Sequence, residues 1–207
     1  MYNLKINQKG RSMIEMLGVL AIVGVLSIAG IVGYSRAMSK YRANQAVDIM
    51  MHVIRNIREM ESKPLGQTEQ KIYTAQEMID YGVYSECKEI KENGQSYCHL
   101  PIGKITTRYT IGTAGYPYGK GWLRIDIEQG NKEITCTQFL ANDWTQVVPD
   151  DAGTIMIMDK EGHQRTLFTS KKTAKTYSMV TAAQYCKEMC STSEKCYIRF
   201  DLHSYGS

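Results

Sequence analysis

A run of 19 uncharged residues, Met16–Tyr34, constrains this chain more than any other feature of its sequence. A helix needs about 20 consecutive apolar residues to cross a bilayer. Lys5, Lys9 and Arg11 precede the run, and residues 1–11 contain no acid. Because basic flanks stay on the cytoplasmic side of a membrane helix, we expect the rest of the chain to lie on the opposite side.

The remainder of the chain has the composition of a water-soluble domain. Mean hydropathy over all 207 residues is −0.33, although one segment is strongly apolar, and 22% of the residues are charged. This balance excludes a polytopic membrane protein and a chain that is disordered throughout. The net charge of +4 is too small to indicate a nucleic-acid binder, so nucleic acid is not an expected partner.

All six cysteines lie in this polar remainder. An even set of cysteines behind an N-terminal apolar segment is typical of disulfides formed in an oxidising compartment. Zinc ligation is the alternative, but no C-x-x-C pair occurs and the gaps among the last three cysteines suit zinc poorly. We therefore predict disulfides and no metal site; the six are Cys87, Cys98, Cys136, Cys186, Cys190 and Cys196.

Three interpretations of the apolar run compete. It is a secretory signal peptide cut after Ala29, a plain membrane anchor, or an assembly helix. The third interpretation begins with Glu15, because an acid beside an apolar membrane segment is costly unless it meets a cation. Cleavage after Gly10 would create an α-amino group on Arg11, and Glu15 of one subunit could pair with that amine on the next subunit.

Residues 9–26, KGRSMIEMLGVLAIVGVL, resemble the class III signal of type IV prepilins. In that family a basic leader ends in glycine, and a glutamate stands at the fifth position after the cut. The resemblance implies that a membrane-embedded prepilin peptidase cuts between Gly10 and Arg11 and that Arg11 is N-methylated. It also implies that Glu15 acts in assembly. Many pilins have Phe, Met or Leu after the cut, where this chain has Arg11.

The helical pattern continues past the membrane segment. Apolar residues recur at i, i+3, i+4 and i+7 as far as Ile57, and a helix-breaking Pro64 follows. We predict a helix over 11–63, membrane-spanning over about 16–34, with residues 1–10 as the cleaved leader. This continuity disfavours a cut after Ala29. The stripe consists of Ala43, Ala46, Val47, Met50, Ile54 and Ile57.

Residues 64–207 are predicted to form one globular head. A capping box at Thr74–Glu77 predicts a short helix that ends at Gly82, and residues 92–95 predict a turn. The fold class expected is α+β, with an antiparallel sheet laid over the outer half of the helix. Strands are predicted over 122–127, 154–158, 164–169 and 197–202, with helices over 134–140 and 182–189.

Two observations bear on the cysteine pairing. Cys87 and Cys98 flank the predicted Asn93–Gly94 turn and would close a local loop. The head also resembles the type IVb branch of pilins, in which a cysteine on a helix after the second strand pairs with one near the carboxyl terminus. That resemblance implies Cys136–Cys190, with Cys186 as the next choice, and leaves Cys186–Cys196 as the remaining pair. Six cysteines allow 15 pairings.

No catalytic constellation, cofactor motif or phosphate loop occurs in the sequence, so we expect a structural protein rather than an enzyme. The resemblance implies a subunit that moves from the inner membrane into an extracellular pilus for adhesion, aggregation, motility or conjugation-type contact. Implied partners are copies of itself, a prepilin peptidase, and an assembly ATPase with its platform. The alternatives are a minor pilin or type II secretion pseudopilin, or a monomeric anchored or secreted binding protein.

Overall fold

The computed structural model describes residues 13–62, 71–92, 95–111, 120–142, 144, 153–169, 178–191 and 194–203, which form an α+β fold. The chain divides into two compact units, Met1–Met38 and Ser39–Ser207. The helices described are α1 (Met13–Ser62), α2 (Ala75–Asp80), α3 (Lys132–Phe139) and α4 (Met179–Cys190). The strands are β1 (Lys71–Tyr73), β2 (Lys88–Glu92), β3 (Gln95–Leu100), β4 (Gly103–Ile111), β5 (Lys120–Ile127), β6 (Gly153–Asp159), β7 (Gln164–Thr169) and β8 (Cys196–His203).

The long N-terminal helix is confirmed, and α1 runs without a break from Met13 to Ser62. The predicted start at Arg11 lies outside the described residues, as do Lys63 and Pro64 beyond the helix end. Within 39–62 every residue of the predicted apolar stripe is buried. Val53 and Met60 extend it, so this half of α1 packs one face against the antiparallel sheet.

The strands form a single antiparallel sheet with the order β2-β3-β4-β5-β8-β6-β7. The long strand β4 pairs with β3 near its beginning and with β1 near its end. The last strand in the chain, β8, lies between β5 and β6 and pairs with both over its length. The sheet interior is therefore completed by the carboxyl-terminal part of the chain.

Local sequence accounts for the short helices of the head. The predicted capping box is present, because Thr74 Oγ1 accepts from the Glu77 amide at 3.3 Å and a Glu77 carboxylate oxygen accepts from the Thr74 amide at 2.9 Å. Gly82 follows α2 at φ +75°, which an L side chain rarely adopts. Asn131 and Ser178 are the N-caps of α3 and α4, and their side-chain oxygens accept from the amides of Ile134 and Thr181.

One apolar core holds the head together. Alternate residues of the central strands face it, such as Leu123 and Ile125 on β5 and Ile198 on β8. An aromatic cluster fills the space beside α3, where the Phe139 and Trp144 rings stack with centroids 4.8 Å apart. The Trp144 indole N–H donates to the carbonyl of Phe139 at 3.2 Å, which satisfies a buried donor.

Three disulfides link the cysteines, and none of the six is free. Cys87–Cys98 is confirmed and joins the residue before β2 to β3, while the predicted Asn93–Gly94 turn lies outside the described residues. The other two predicted pairs are wrong. The structure has Cys136–Cys186 and Cys190–Cys196 in place of Cys136–Cys190 and Cys186–Cys196.

The position of α4 explains the observed pairing. Cys186 and Cys190 lie one turn apart, so both occupy the same buried face of α4. Cys186 lies against α3, where its Cα is 5.8 Å from that of Cys136. Cys190 is the last residue of α4 and Cys196 the first of β8, and their Cα atoms are 5.0 Å apart. A Cys186–Cys196 bond would have to reach back one further turn of helix.

Candidate functional site

The first unit exposes its large apolar side chains on all sides. From Met13 to Tyr34 every large hydrophobic residue of α1 is exposed, for example Ile22 at 63%. Among the described residues, α1 is the one helix long and apolar enough to cross a membrane, and no residue of its most hydrophobic window is buried within the chain. Length and composition also fit a signal sequence, so the finding supports membrane anchoring or export.

Glu15 lies in the first described turn of α1, immediately before the uncharged run, and its side chain is exposed. The predicted cleavage residues Gly10 and Arg11 lie outside the described residues. The structure therefore places the acid on the helix that would assemble, while its pairing with the Arg11 amine stays a prediction.

Glycines interrupt the apolar surface at positions where the chain itself does not require them. A Cβ atom built on Gly18, Gly24, Gly30 or Gly33 would have no other part of the chain within 4 Å. Glycine costs about 1 kcal/mol in a helix interior relative to alanine. Small residues at such positions allow a second helix to approach closely.

A second distinctive surface lies on the sheet face opposite the core. Arg124 on β5 stands directly opposite Arg199 on β8, which places like charges side by side. Each arginine is held by an aspartate two residues along its own strand, at 2.8 Å to Asp126 and 2.6 Å to Asp201. The guanidinium of Arg124 also stacks over the Tyr197 ring, 4.5 Å from its centroid. Sequence alternation placed these residues on strands but gave no sign of the cross-strand pairing.

Burial and hydrogen bonds shift the pKa values of two groups on this arginine–aspartate surface. Burial raises the pKa of Asp126 and outweighs the opposing charge and hydrogen bond of Arg124. Beside it, Lys104 bridges Glu92 at 2.7 Å and Glu128 at 3.2 Å. The hydrogen bond to Glu92 outweighs partial burial and raises the pKa of the lysine. The surface is a fixed array of paired charges.

Within the part of the chain that the structure describes, two groups of side chains have donor atoms close enough to hold a metal ion. Asp159, Glu161 and His163 occupy the β6–β7 turn, with donor atoms within 4.8 Å of one another. Two members of this group are already joined to each other, because Asp159 accepts from the His163 amide at 2.9 Å and lies 2.7 Å from His163 Nδ1. These hydrogen bonds hold the pKa of Asp159 below its usual value although burial opposes this.

The second group consists of sulfur atoms. Sγ atoms of Cys136, Cys190 and Cys196 all lie within 4.8 Å of one another, and Cys136 is bonded to Cys186. All four cysteines are buried. Two disulfides from α3, α4 and β8 therefore converge in one place, which the sequence spacing did not indicate.

The four histidines were not expected to form a catalytic site. Among the described residues, His52 on α1 lies 3.3 Å from Glu86, and His163 contacts Asp159. His99 belongs to β3 and His203 ends β8. Comparison with protein-family models, curated proteins and solved structures found no significant match.

Proposed function

We propose that this chain is a structural subunit of a type IV pilus, polymerised through the first half of α1. The observation that carries the proposal is the exposed apolar helix with Glu15 one residue before its uncharged run. The family is proposed from residues 9–26 of the sequence. The helix would lie in the inner membrane before assembly, and in the filament it would pack against the same segment of other subunits.

The exposed side chains of residues 13–38 need a covering. Such a large apolar surface is unfavourable in water, because burying it gains roughly 25 cal/mol for each Å². Lipid can cover it before assembly, and neighbouring helices can cover it afterwards. No residue of the most hydrophobic window is buried in the described part of the chain.

The continuity of α1 favours assembly over export by a signal peptide. A cut after Ala29 would fall within an uninterrupted helix and remove the glycines at 18 and 24. A plain anchor would have no use for an acid at position 15 or for glycines that the chain's own packing does not require. A filament gives both features a role.

Glu15 has a specific partner in the proposal. After cleavage behind Gly10, the α-amine of Arg11 on a neighbouring subunit approaches the Glu15 carboxylate among apolar helices. Attraction between opposite charges is stronger there than in water, and leaving either charge alone is costly. The pair would therefore fix the axial position at which a new subunit enters.

The proposal places the head outside the cytoplasm, first in the periplasm and then on the filament surface. The three disulfides support such an oxidising location. Prepilin peptidase, an assembly ATPase and a platform protein are the proposed partners. Removal of Lys5 and Lys9 lowers the net charge from +4 to +2, because 4 − 2 = 2.

Mass spectrometry of the native protein's amino terminus tests the proposal. A methylated Arg11 start supports the pilus subunit. A start at Gly30 would identify a secreted protein instead, and an intact Met1 would identify a plain anchor. Replacing Gly10 with alanine should block cleavage and leave full-length, unassembled protein in the membrane; normal filaments from that variant would contradict the proposal.

Glu15→Gln tests the charge pair separately from cleavage. We expect normal processing and a large loss of filament yield, measured as sheared protein per cell. The matched control is Asp48→Asn, which removes an exposed acid from the second half of the same helix and should leave the yield unchanged. Equal yields from both variants would remove the pairing from the mechanism.

A further inference from the structure

The four cysteines Cys136, Cys186, Cys190 and Cys196 form one sulfur cluster, which comprises two separate disulfides. Three of the four Sγ atoms lie within 4.8 Å of one another, and the fourth is bonded to one of those three. The bonds join three different elements, α3, α4 and β8. Cys136 Sγ therefore lies within 4.8 Å of both sulfurs of the second disulfide.

Thiol–disulfide exchange needs a thiolate that can reach a disulfide sulfur. Once one sulfur of a pair is free, its attack on a neighbouring disulfide is intramolecular and is favoured by a high effective concentration. All four side chains are buried, so an external thiol reaches them less readily than they reach each other. Cys186 and Cys190 lie on one face of α4, so the present partner of Cys136 and one of its two alternative partners belong to the same helix.

We propose that this sulfur cluster is a thiol–disulfide exchange site, in which Cys136 can transfer from Cys186 to Cys190 or Cys196. The exchange would start with a low-molecular-weight thiol that reaches the buried Cys136–Cys186 bond during a local opening of the head, forms a mixed disulfide with Cys186 and releases Cys136 as the thiolate. The inference does not depend on the proposed pilus function, because it uses only the chemistry of the head.

The exchange is redox-neutral. The Cys136 thiolate attacks Sγ of Cys190, a Cys136–Cys190 bond forms, the Cys190–Cys196 bond breaks, and Cys196 leaves as the thiolate. Attack on Cys196 is the mirror case, with Cys190 as the leaving group. One disulfide forms for each disulfide broken, so the free thiol moves from α3 to the end of α4 or the start of β8.

The Cys87–Cys98 bridge provides an internal control. Among the described residues, no group of three His, Cys, Asp or Glu donor atoms within 4.8 Å of one another includes either of its cysteines. A cysteine orphaned there has no second disulfide to attack, whereas one orphaned in the sulfur cluster does.

The test compares Cys186→Ser with Cys87→Ser in the otherwise intact chain at about pH 8, where thiolate forms. After acid quenching, free thiols are alkylated and peptides are mapped without reduction. In Cys186→Ser we expect Cys136–Cys190 or Cys136–Cys196 bonds, with less free thiol on Cys136 than on Cys190 and Cys196 combined. In Cys87→Ser the thiol should remain on Cys98, with both other bridges native.

A free thiol confined to Cys136 in Cys186→Ser, beside an intact Cys190–Cys196 bond, would overturn the proposal. If that variant does not fold, wild-type protein is treated with less than one equivalent of reduced glutathione, and its disulfides are mapped in the same way. Crossed bonds within the cluster, and none involving Cys87 or Cys98, support it. If one disulfide of the cluster has been opened and no crossed bonds form, the proposal is wrong.

Discussion

Residues 13–38 and 39–62 belong to one helix, yet the burial of their apolar side chains differs. The first segment exposes large apolar side chains in every direction, while the second buries a single stripe and exposes charged residues such as Asp48 and Arg55. An amphipathic stripe is what a helix needs to pack on its own domain, and an apolar surface all round is what it needs in lipid or among other helices. The stability of the head should therefore be independent of residues 13–38.

The largest expected effect on the stability of the head comes from removing one of its own disulfides. Replacing both Cys136 and Cys186 with alanine should lower the free energy of unfolding of the head by about 4 kcal/mol, because the bridge closes a long loop in the unfolded chain. The Cys190–Cys196 bridge closes a short loop, so its double alanine variant should lose only about 2 kcal/mol. Denaturant unfolding of detergent-solubilised protein, followed by tryptophan fluorescence, measures both. Equal losses would show that chain entropy does not control these bridges.

A matched pair of isoleucines tests the helix itself. Ile54→Ala removes a side chain that is only 1% exposed, and we expect a loss of about 3 kcal/mol from the head. Ile22→Ala makes the same chemical change where the side chain is exposed, and it should leave the head's unfolding midpoint unchanged. A comparable shift from Ile22→Ala would show that the first segment supports the head after all.

A matched pair of glycines gives a smaller contrast. A Cβ on Gly103 would lie 1.8 Å from the carbonyl oxygen of Asp126, so Gly103→Ala must push β4 away from β5. We expect a loss of about 2 kcal/mol from overpacking. Gly24→Ala meets open space and should leave the head's stability unchanged. Its effect should instead fall on filament yield, because a methyl group keeps neighbouring helices farther apart.

The smallest effect distinguishes two aspartates within the head by their acid response. The pKa of Asp159 is lowered, so its contribution to stability is present above pH 3.8 and is lost as the pH falls through the lower folded value. The pKa of Asp126 is raised, so its contribution is present below pH 3.8 and is lost as the pH rises through the higher folded value. On acidification, Asp159→Asn should reduce the loss of stability below pH 3.8. Asp126→Asn should increase the loss of stability just above pH 3.8, because it removes a group whose protonation there favours the folded state. Unfolding midpoints from pH 2 to 6 measure both slopes.

Patterns that depend on one element were predictable from sequence. The apolar stripe of α1, the capping box of α2 and the alternation in β5 and β8 each reflect local periodicity or local hydrogen bonding. Strand β2, with the sequence KEIKE, has no such pattern because it is an edge strand that buries little. Strand β4 is rich in threonine and charge, and it is a strand because β1, β3 and β5 pair with it. These two strands and β1 and β3 were not predicted.

The cysteine pairing shows the limit of sequence spacing in the candidate site. Spacing across a turn was sufficient for Cys87–Cys98, because Cys87 immediately precedes β2 and Cys98 lies on β3, its antiparallel neighbour. It could not distinguish Cys186 from Cys190, because both occupy one face of α4 and only the packing of α3 decides which is nearer to Cys136. The cross-strand pairing of Arg124 with Arg199 was hidden for the same reason, since it depends on which strand becomes the neighbour of β5.

The central place of β8 in the sheet has a consequence for biosynthesis. Strands β5 and β6 do not pair with each other, and the strand that lies between them, β8, is synthesised after both. Until residues 196–203 have been synthesised, the edges of β5 and β6 that pair with β8 remain without that partner. A premature stop codon before Cys196 would remove the central strand β8. The sheet would then be divided into two parts, β2-β3-β4-β5 and β6-β7, with no strand to join them.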